Sequence, residues 1–155
     1  YNSSEPQSRD ALEELQKAAA ASGMKIIALP VTNSSETQLV TQSLIAKKPD
    51  VFFALPDNVI FASFETVVKA CNEAQLPVFT SEAGLVGRGA IASYGADFYQ
   101  WGFQAGVEAA NYLKSNTALI PKPELVQVRQ YVFNSKAAAR FNLVAPNGFI
   151  VINTP

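Results

Sequence analysis

The order strand, polar loop, helix recurs three times within residues 1–101, and this alternation restricts the fold more than any single residue does. Three loops carry it: Tyr1-Asn2-Ser3-Ser4-Glu5-Pro6-Gln7-Ser8, Leu55-Pro56-Asp57-Asn58 and Thr80-Ser81-Glu82-Ala83-Gly84. Side-chain amides, hydroxyls and carboxylates dominate all three, and an amphipathic helical pattern follows each. Consecutive βα units pack with right-handed crossovers, so the expected fold is α/β, an open parallel sheet flanked by helices. Loops at the carboxyl ends of parallel strands are where such a sheet takes its ligand.

Along the chain, Ser8 or Asp10 can cap a first helix that runs to about Ser22 and stops at Gly23, with Leu12, Leu15 and Ala19 on one face. Met24–Val31 reads as a strand, placed near an edge or at its end by Pro30. A helix over about Glu36–Lys47 turns Leu39, Val40 and Leu44 inward, and Pro49 ends it. Asp50–Leu55 is a continuous apolar run, as expected of a central parallel strand covered on both faces. A third helix over about Val59–Gln75 buries Ile60, Phe61, Phe64, Val68 and Cys71, and Pro77–Thr80 is another short strand. Phe61, Phe64 and Phe79 are core side chains on this pattern, and Cys71 is a buried small hydrophobe. Ala90–Tyr94 is a strand that leads into a helix over about Phe98–Lys114. The face carrying Gly102, Ala105, Gly106, Ala109 and Ala110 is smooth enough for close packing. Thr117–Pro123 is a linker, Val126–Phe133 alternates as a strand, Ser135–Phe141 is a short helix and Phe149–Ile152 a last strand. Tyr1-Asn2 has the character of a strand's final residues, so the chain is expected to begin just after its first strand.

Composition removes several function classes. The 155 residues are 48% hydrophobic and 16% charged, enough for one domain with a sizeable core and too apolar for disorder. A net charge of −1 gives no footprint for nucleic acid. No apolar run reaches the roughly 18–20 residues that cross a membrane. The chain has no His and a single Cys, so neither a metal site nor base catalysis by imidazole is expected, and no cofactor. No G-x-S-x-G elbow and no G-x-G-x-x-G after a strand is present. An enzyme would have to work with Glu5, Asp57 and Glu82 as an acid–base set, and the expectation is no enzyme. A flavodoxin-like reading keeps only Ser3-Ser4 and Ser8 as phosphate donors.

The three loops, with Val31-Thr32-Asn33-Ser34-Ser35-Glu36, Pro77-Val78-Phe79-Thr80-Ser81-Glu82, Arg88-Gly89-Ala90-Ile91-Ala92-Ser93-Tyr94-Gly95-Ala96-Asp97-Phe98-Tyr99 and Lys136-Ala137-Ala138-Ala139-Arg140-Phe141-Asn142-Leu143, carry a resemblance. From residue 1 to about 145 the chain resembles the second, Rossmann-like lobe of a type I periplasmic binding protein. More narrowly, it is similar to the ABC-importer substrate-binding family whose better-known members take up tryptophan and related aromatic amino acids. The tail Phe149–Pro155 departs from the charged helical ending of that family.

The resemblance implies residues 1–88 as the ligand-binding second lobe, 89–120 as a return segment toward a first lobe whose main segment is absent here, and 121–155 as a closing strand–helix–strand. It puts the crossing between lobes near Gly84–Gly89. It also implies a small-molecule ligand, an amino acid and in the narrower version an aromatic one, an ABC permease in the membrane as partner, and a periplasmic or cell-surface lipoprotein location. The helix after Asp97 would belong to the first lobe. On its own it is open to pairing with a second copy, so a homodimer stays among the expected partners. The other function in view is the ligand-sensing lobe of a transcription regulator or receptor with the same fold.

The candidate ligand-binding residues are Asn2, Glu5, Ser8, Asp57, Asn58, Ser81, Glu82 and Tyr94. Each has a structural alternative. Glu5, Ser8 and Asp57 stand where a side chain caps a helix, and Asn2 suits an Asx turn. In the functional reading Glu5 is a cleft-facing acceptor and Asp57 takes an ammonium, while Asn58 both donates and accepts. Ser81 and Glu82 occupy the matching place after the next strand. Tyr94 ends a strand near the hinge that the resemblance implies. Arg88, between two glycines, is read as solvated.

Overall fold

A computed structural model describes residues 1–115 and 122–154. Most of the linker expected at Thr117–Pro123 lies outside the described residues. The chain runs α1 (Pro6–Ala21), α2 (Thr37–Ile45), β1 (Phe52–Ala54), α3 (Asn58–Ala62), α4 (Phe64–Glu73), β2 (Val78–Thr80), α5 (Ala83–Val86), β3 (Ala92–Ala96), α6 (Phe98–Lys114), β4 (Arg129–Asn134), α7 (Ser135–Ala139) and β5 (Ile150–Ile152). A short 3-10 turn at Ser34–Glu36 leads into α2.

The five strands form one sheet in the order β1-β2-β3-β4-β5. β1, β2 and β3 are parallel, as the alternation predicts. β4 departs from that pattern, lying antiparallel to β3 with Tyr94 opposite Tyr131, and β5 is parallel to β4. The route of the chain explains the reversal. Residues 125–127 run beside α6, tied by Gln104 Nε2 to the Leu125 carbonyl (3.2 Å) and by the Gln127 N–H to Gln104 Oε1 (3.1 Å). The Asp97 N–H then bonds the Val128 carbonyl (3.1 Å), so β4 enters the sheet from the rim where β3 leaves it.

The stretch Met24–Val31 is not assigned as a strand, yet it pairs like one. Tyr1 N donates to the Leu29 carbonyl (3.2 Å) and Val31 N to the Tyr1 carbonyl (2.8 Å), the alternating pattern of a parallel ladder. Tyr1 is thus paired as the last residue of a parallel strand would be, and the bond from the Asn2 N–H to Asp57 brings the loop that follows to the rim from which the loop after β1 emerges.

One sheet face packs Phe52, Ala54 and Val78 against Phe64, Val67, Val68 and Cys71 of α4, with Val40 and Leu44 of α2 behind them. Burial pushes the Cys71 thiol up to about 12, so at neutral pH it stays protonated and serves as packing. On the other face Ile91, Ala92 and Phe133 gather Phe79, Phe141 and Phe149 around Ala138 of α7.

Four expectations are corrected. Leu39 is 67% exposed rather than inward; Thr37 and Thr41 are buried on the face that also carries Val40 and Leu44. β1 ends the order of the sheet, and its Phe53 is exposed, so this strand is not covered on both faces. The single helix expected over Val59–Gln75 breaks at Ser63, where φ is −112° and ψ 17°. The freed Phe61 carbonyl accepts from Arg88 Nη2 (2.8 Å). Arg88 is thus not merely solvated: its Nε and Nη2 also grip the Glu65 carboxylate (2.7 and 2.8 Å), joining the break to the end of α5. That fork holds the Glu65 carboxyl down at about 2.

Candidate functional site

The rim is assembled around Asp57. It is 2% exposed and forms the N-cap of α3, its Oδ1 accepting from the N–H groups of Val59 (2.9 Å) and Ile60 (3.1 Å). Its other oxygen accepts from the Asn2 N–H and from Ser8 Oγ (2.8 Å). One buried carboxylate therefore ties the first loop to the second across 55 positions of sequence. Four donors occupy its lone pairs, and no acceptor is left turned outward.

Ser8 follows from the same geometry. It does not cap α1, since Glu5 stands at the N-cap position, and it is fully buried in the first turn with the Pro56 carbonyl 3.2 Å from its hydroxyl. Asn2 is buried too. Its Oδ1 takes the Ser4 N–H (3.0 Å), which makes the expected Asx turn, and its Nδ2 reaches Glu5 Oε1 (3.3 Å).

Glu5 and Asn58 are different in kind. Although Glu5 occupies the N-cap position, its carboxylate makes no capping bond. It collects side-chain amides instead: Asn2 Nδ2, Asn58 Nδ2 (3.4 Å) and, on Oε2, Gln7 Nε2 (2.7 Å). Asn58 is exposed and Glu5 half-buried, so two loops present a carboxylate and an amide to solvent at one place. The start of α1 has no side-chain cap, whereas α3 and α5 do. Pro6 carries no N–H and the Arg9 N–H bonds the Glu5 carbonyl, so the uncapped donors beside Glu5 are the N–H groups of Gln7 and of buried Ser8.

After β2, Glu82 turns back as a cap, its two oxygens accepting from the N–H groups of Gly84 (2.8 Å) and Leu85 (2.9 Å). Thr80 Oγ1 accepts from the Glu82 N–H (3.1 Å) and donates to the Ala54 carbonyl (3.2 Å), which fixes the loop against β1. Ser81 Oγ is buried without a hydrogen-bond partner. Tyr94 is 49% exposed on β3 and stacks on Tyr131 of β4 at 4.2 Å between centroids with 15° between planes. Phe149 tilts against Tyr131 at 5.0 Å. Tyr131 was not singled out in the sequence; only its place in the alternating run before Phe133 pointed to it. Among the described residues no group of His, Cys, Asp and Glu could hold a metal ion.

The structure thus brings Asn2, Glu5, Ser8, Asp57 and Asn58 into one hydrogen-bonded cluster. Ser81 and Glu82 stand at the same rim after the neighbouring strand, and Tyr94 one strand further on. Of the acids, Glu5 keeps a face toward solvent, Glu82 spends both oxygens on the start of α5, and Asp57 spends one on the start of α3 and the other on Asn2 and Ser8.

The comparisons with known proteins agree with this architecture. The family model described as ABC transporter substrate binding protein matches residues 1–153. A curated tyrosine-binding protein of Clostridioides difficile (strain R20291) is 32% identical over 117 residues, which is 76% of this chain and 34% of that protein. A conserved domain protein from Vibrio cholerae superposes with a TM-score of 0.85 at 32% identity, over 97% of this chain and 52% of its own. The ligand-free, open structure of a substrate binding protein with adhesive properties from Clostridium difficile gives 0.77 at 25% identity, over 100% and 53%. An ABC domain in complex with L-Trp from Streptococcus pneumonia gives 0.85 at 24% identity, over 98% and 53%, a likeness of fold. The chain spans about a third of the length of the curated relative and about half of that of the solved structures.

Proposed function

This chain belongs to the family of ABC transporter substrate binding proteins, and from that premise we propose that it captures an amino acid, preferentially an aromatic one, for an importer. The observation that carries the reading is the meeting of Glu5 and Asn58, 3.4 Å apart across two strand-end loops, beside the uncapped start of α1. A free amino acid presents an ammonium and a carboxylate a few bonds apart. Glu5 takes the ammonium. The carboxylate lies toward the N–H groups of Gln7 and Ser8 behind Pro6 at the start of α1, where the helix dipole favours an anion. Asp57 and Ser8 act from beneath by holding both loops in register, and Asn2 orients Glu5. Ser81, with Glu82 fixing its loop, lines the side after β2, and the Tyr94–Tyr131 pair offers the aromatic wall. Burying such charges is favourable only when each is paired and water is shut out, so a second wall is needed.

That wall is the other lobe. Residues 1–88 form the ligand-binding lobe, 89–120 the return toward the first lobe and 121–155 the closing segment. The exposed apolar side chains of α6 support this division, and the relative described as ligand-free and open supports a cleft with more than one state. Closure around the ligand is what a permease can recognise, because the bound and free shapes differ. Members of the family work outside the cytoplasm, and the proposed location is the periplasm or the cell surface. The aromatic preference is supported by the relative named for tyrosine binding.

Calorimetric titration with each proteinogenic amino acid is the test. Heat from tyrosine, tryptophan or phenylalanine, lost in Glu5→Gln, is the expected result; silence from every aromatic amino acid removes the specific reading.

A further inference from the structure

We propose that Gly95 is a positioning residue for the Ser81–Glu82 side of the rim, because only the absence of a side chain there lets the Ser81 peptide lie against β3. This rests on the reading of the rim as a ligand site. A Cβ placed on Gly95 would stand 1.8 Å from the Ser81 carbonyl oxygen, 2.9 Å from its carbon and 3.7 Å from its Cα. The Ser81 atoms it would meet are all backbone and a Cβ is fixed by its own backbone, so no rotamer relieves the clash. The requirement is for space and not for an unusual dihedral, unlike Gly89, whose φ is +112°.

What the clash would displace is specific. Ser81 follows β2 directly, its neighbour Thr80 is locked to Ala54, and the next residue, Glu82, is bonded through its N–H to Thr80 and through its carboxylate to Gly84 and Leu85. The buried Ser81 hydroxyl has no hydrogen-bond partner among the described residues, so no side-chain hydrogen bond fixes the residue. Pushing the Ser81 carbonyl off β3 tilts the peptide that carries Glu82 and strains its cap on α5. Gly95 thereby sets where the third loop stands relative to Glu5 and Asn58 while touching no ligand itself.

Three measurements test this. In the unaltered protein a nuclear Overhauser contact between the Gly95 and Ser81 α-protons is expected, and its absence overturns the proposal even where the variant does not fold. In ligand-free Gly95→Ala, amide exchange at Gly84 and Leu85 should quicken by about tenfold or more while Leu76, bonded to the Cys71 carbonyl at 2.8 Å, stays protected. Gly106→Ala, where an added Cβ meets nothing within 4 Å, should change neither. Unaltered exchange in Gly95→Ala overturns the proposal whatever the ligand. In titrations with tyrosine and tryptophan, Gly95→Ala should bind about tenfold more weakly or worse, and equal affinity overturns the role in binding. An unaltered protein that binds no amino acid overturns the reading of the rim instead; quickened exchange at Gly84 and Leu85 in Gly95→Ala then marks the failure as that of the ligand site and not of the loop contact.

Discussion

α4 and α6 are both amphipathic by sequence, and the molecule treats them in opposite ways. α4, ten residues long, buries Phe64, Val67, Val68 and Cys71 against β1 and β2. α6 has seventeen residues, a proper N-cap in Asp97, and not one buried side chain. Phe103 on α6 is 65% exposed, and among the described residues Phe98 stacks only on Trp101 of the same helix. The difference is one of partners. A helix forms from local bonds and capping, but its apolar stripe is stabilising only where another surface removes it from water. α4 has that surface within this chain; among the described residues α6 has only the segment 125–127 tied to its Gln104, which leaves all its large apolar side chains exposed.

The largest expected break in this contrast is Phe64→Ala. It empties a fully buried ring site and should cost about 3–5 kcal/mol by chemical denaturation. A loss below about 1 kcal/mol would mean that α4 is no better packed than α6. Next comes Asp57→Ala, which leaves the Asn2, Val59 and Ile60 N–H groups without their acceptor and takes one of two acceptors from the Ser8 hydroxyl. The Ser8 hydroxyl keeps the Pro56 carbonyl as acceptor, so the three N–H groups carry the loss; a cost of about 2–3 kcal/mol is expected, with the first loop losing protection from exchange. Stability unchanged by this substitution would detach the first loop from the second.

Acid titration probes the outer edge of α4. Glu65 is held at about 2, below the ordinary 4.5, chiefly by its hydrogen bonds to Arg88. A depressed carboxyl contributes fully above its unfolded value and loses that contribution as pH falls through the folded one. Glu65→Gln should therefore cost stability at neutral pH and nothing below about pH 2, and because the pair is largely exposed the difference should not exceed about 1 kcal/mol. An equal cost at both ends of the range would show that the charge is irrelevant. The smallest effect belongs to α6: Phe103→Ser should shift the stability of this chain by less than about 0.5 kcal/mol. A larger loss would reveal a surface that covers this helix.

Much of the scaffold was legible because its signals are local. Gly23 ends α1 with a positive φ of +69°, and Asp97 starts α6 at the residue expected. Leu39 misled because a face was assigned from apolar residues alone, whereas buried Thr37 and Thr41 share the inward stripe with Val40 and Leu44. The break at Ser63 was invisible because its compensation, the Arg88 guanidinium on the Phe61 carbonyl, comes from 27 residues away. Ser8 and Asp57 were correctly placed at the rim, yet their hydrogen bonds face one another.

By itself the sequence determined the alternation of strand, loop and helix and the collection of polar loops at one end of a sheet, since hydrophobic period and breaker residues act over a few neighbours. Only the tertiary structure decided which acids are spent. Asp57 meets donors from the first loop and from its own helix, Glu82 closes on α5, and Glu5 is left with side-chain amides and an open face. A carboxylate's availability depends on every donor that reaches it through space, and those donors are set by strand register and loop approach rather than by its own place in the chain.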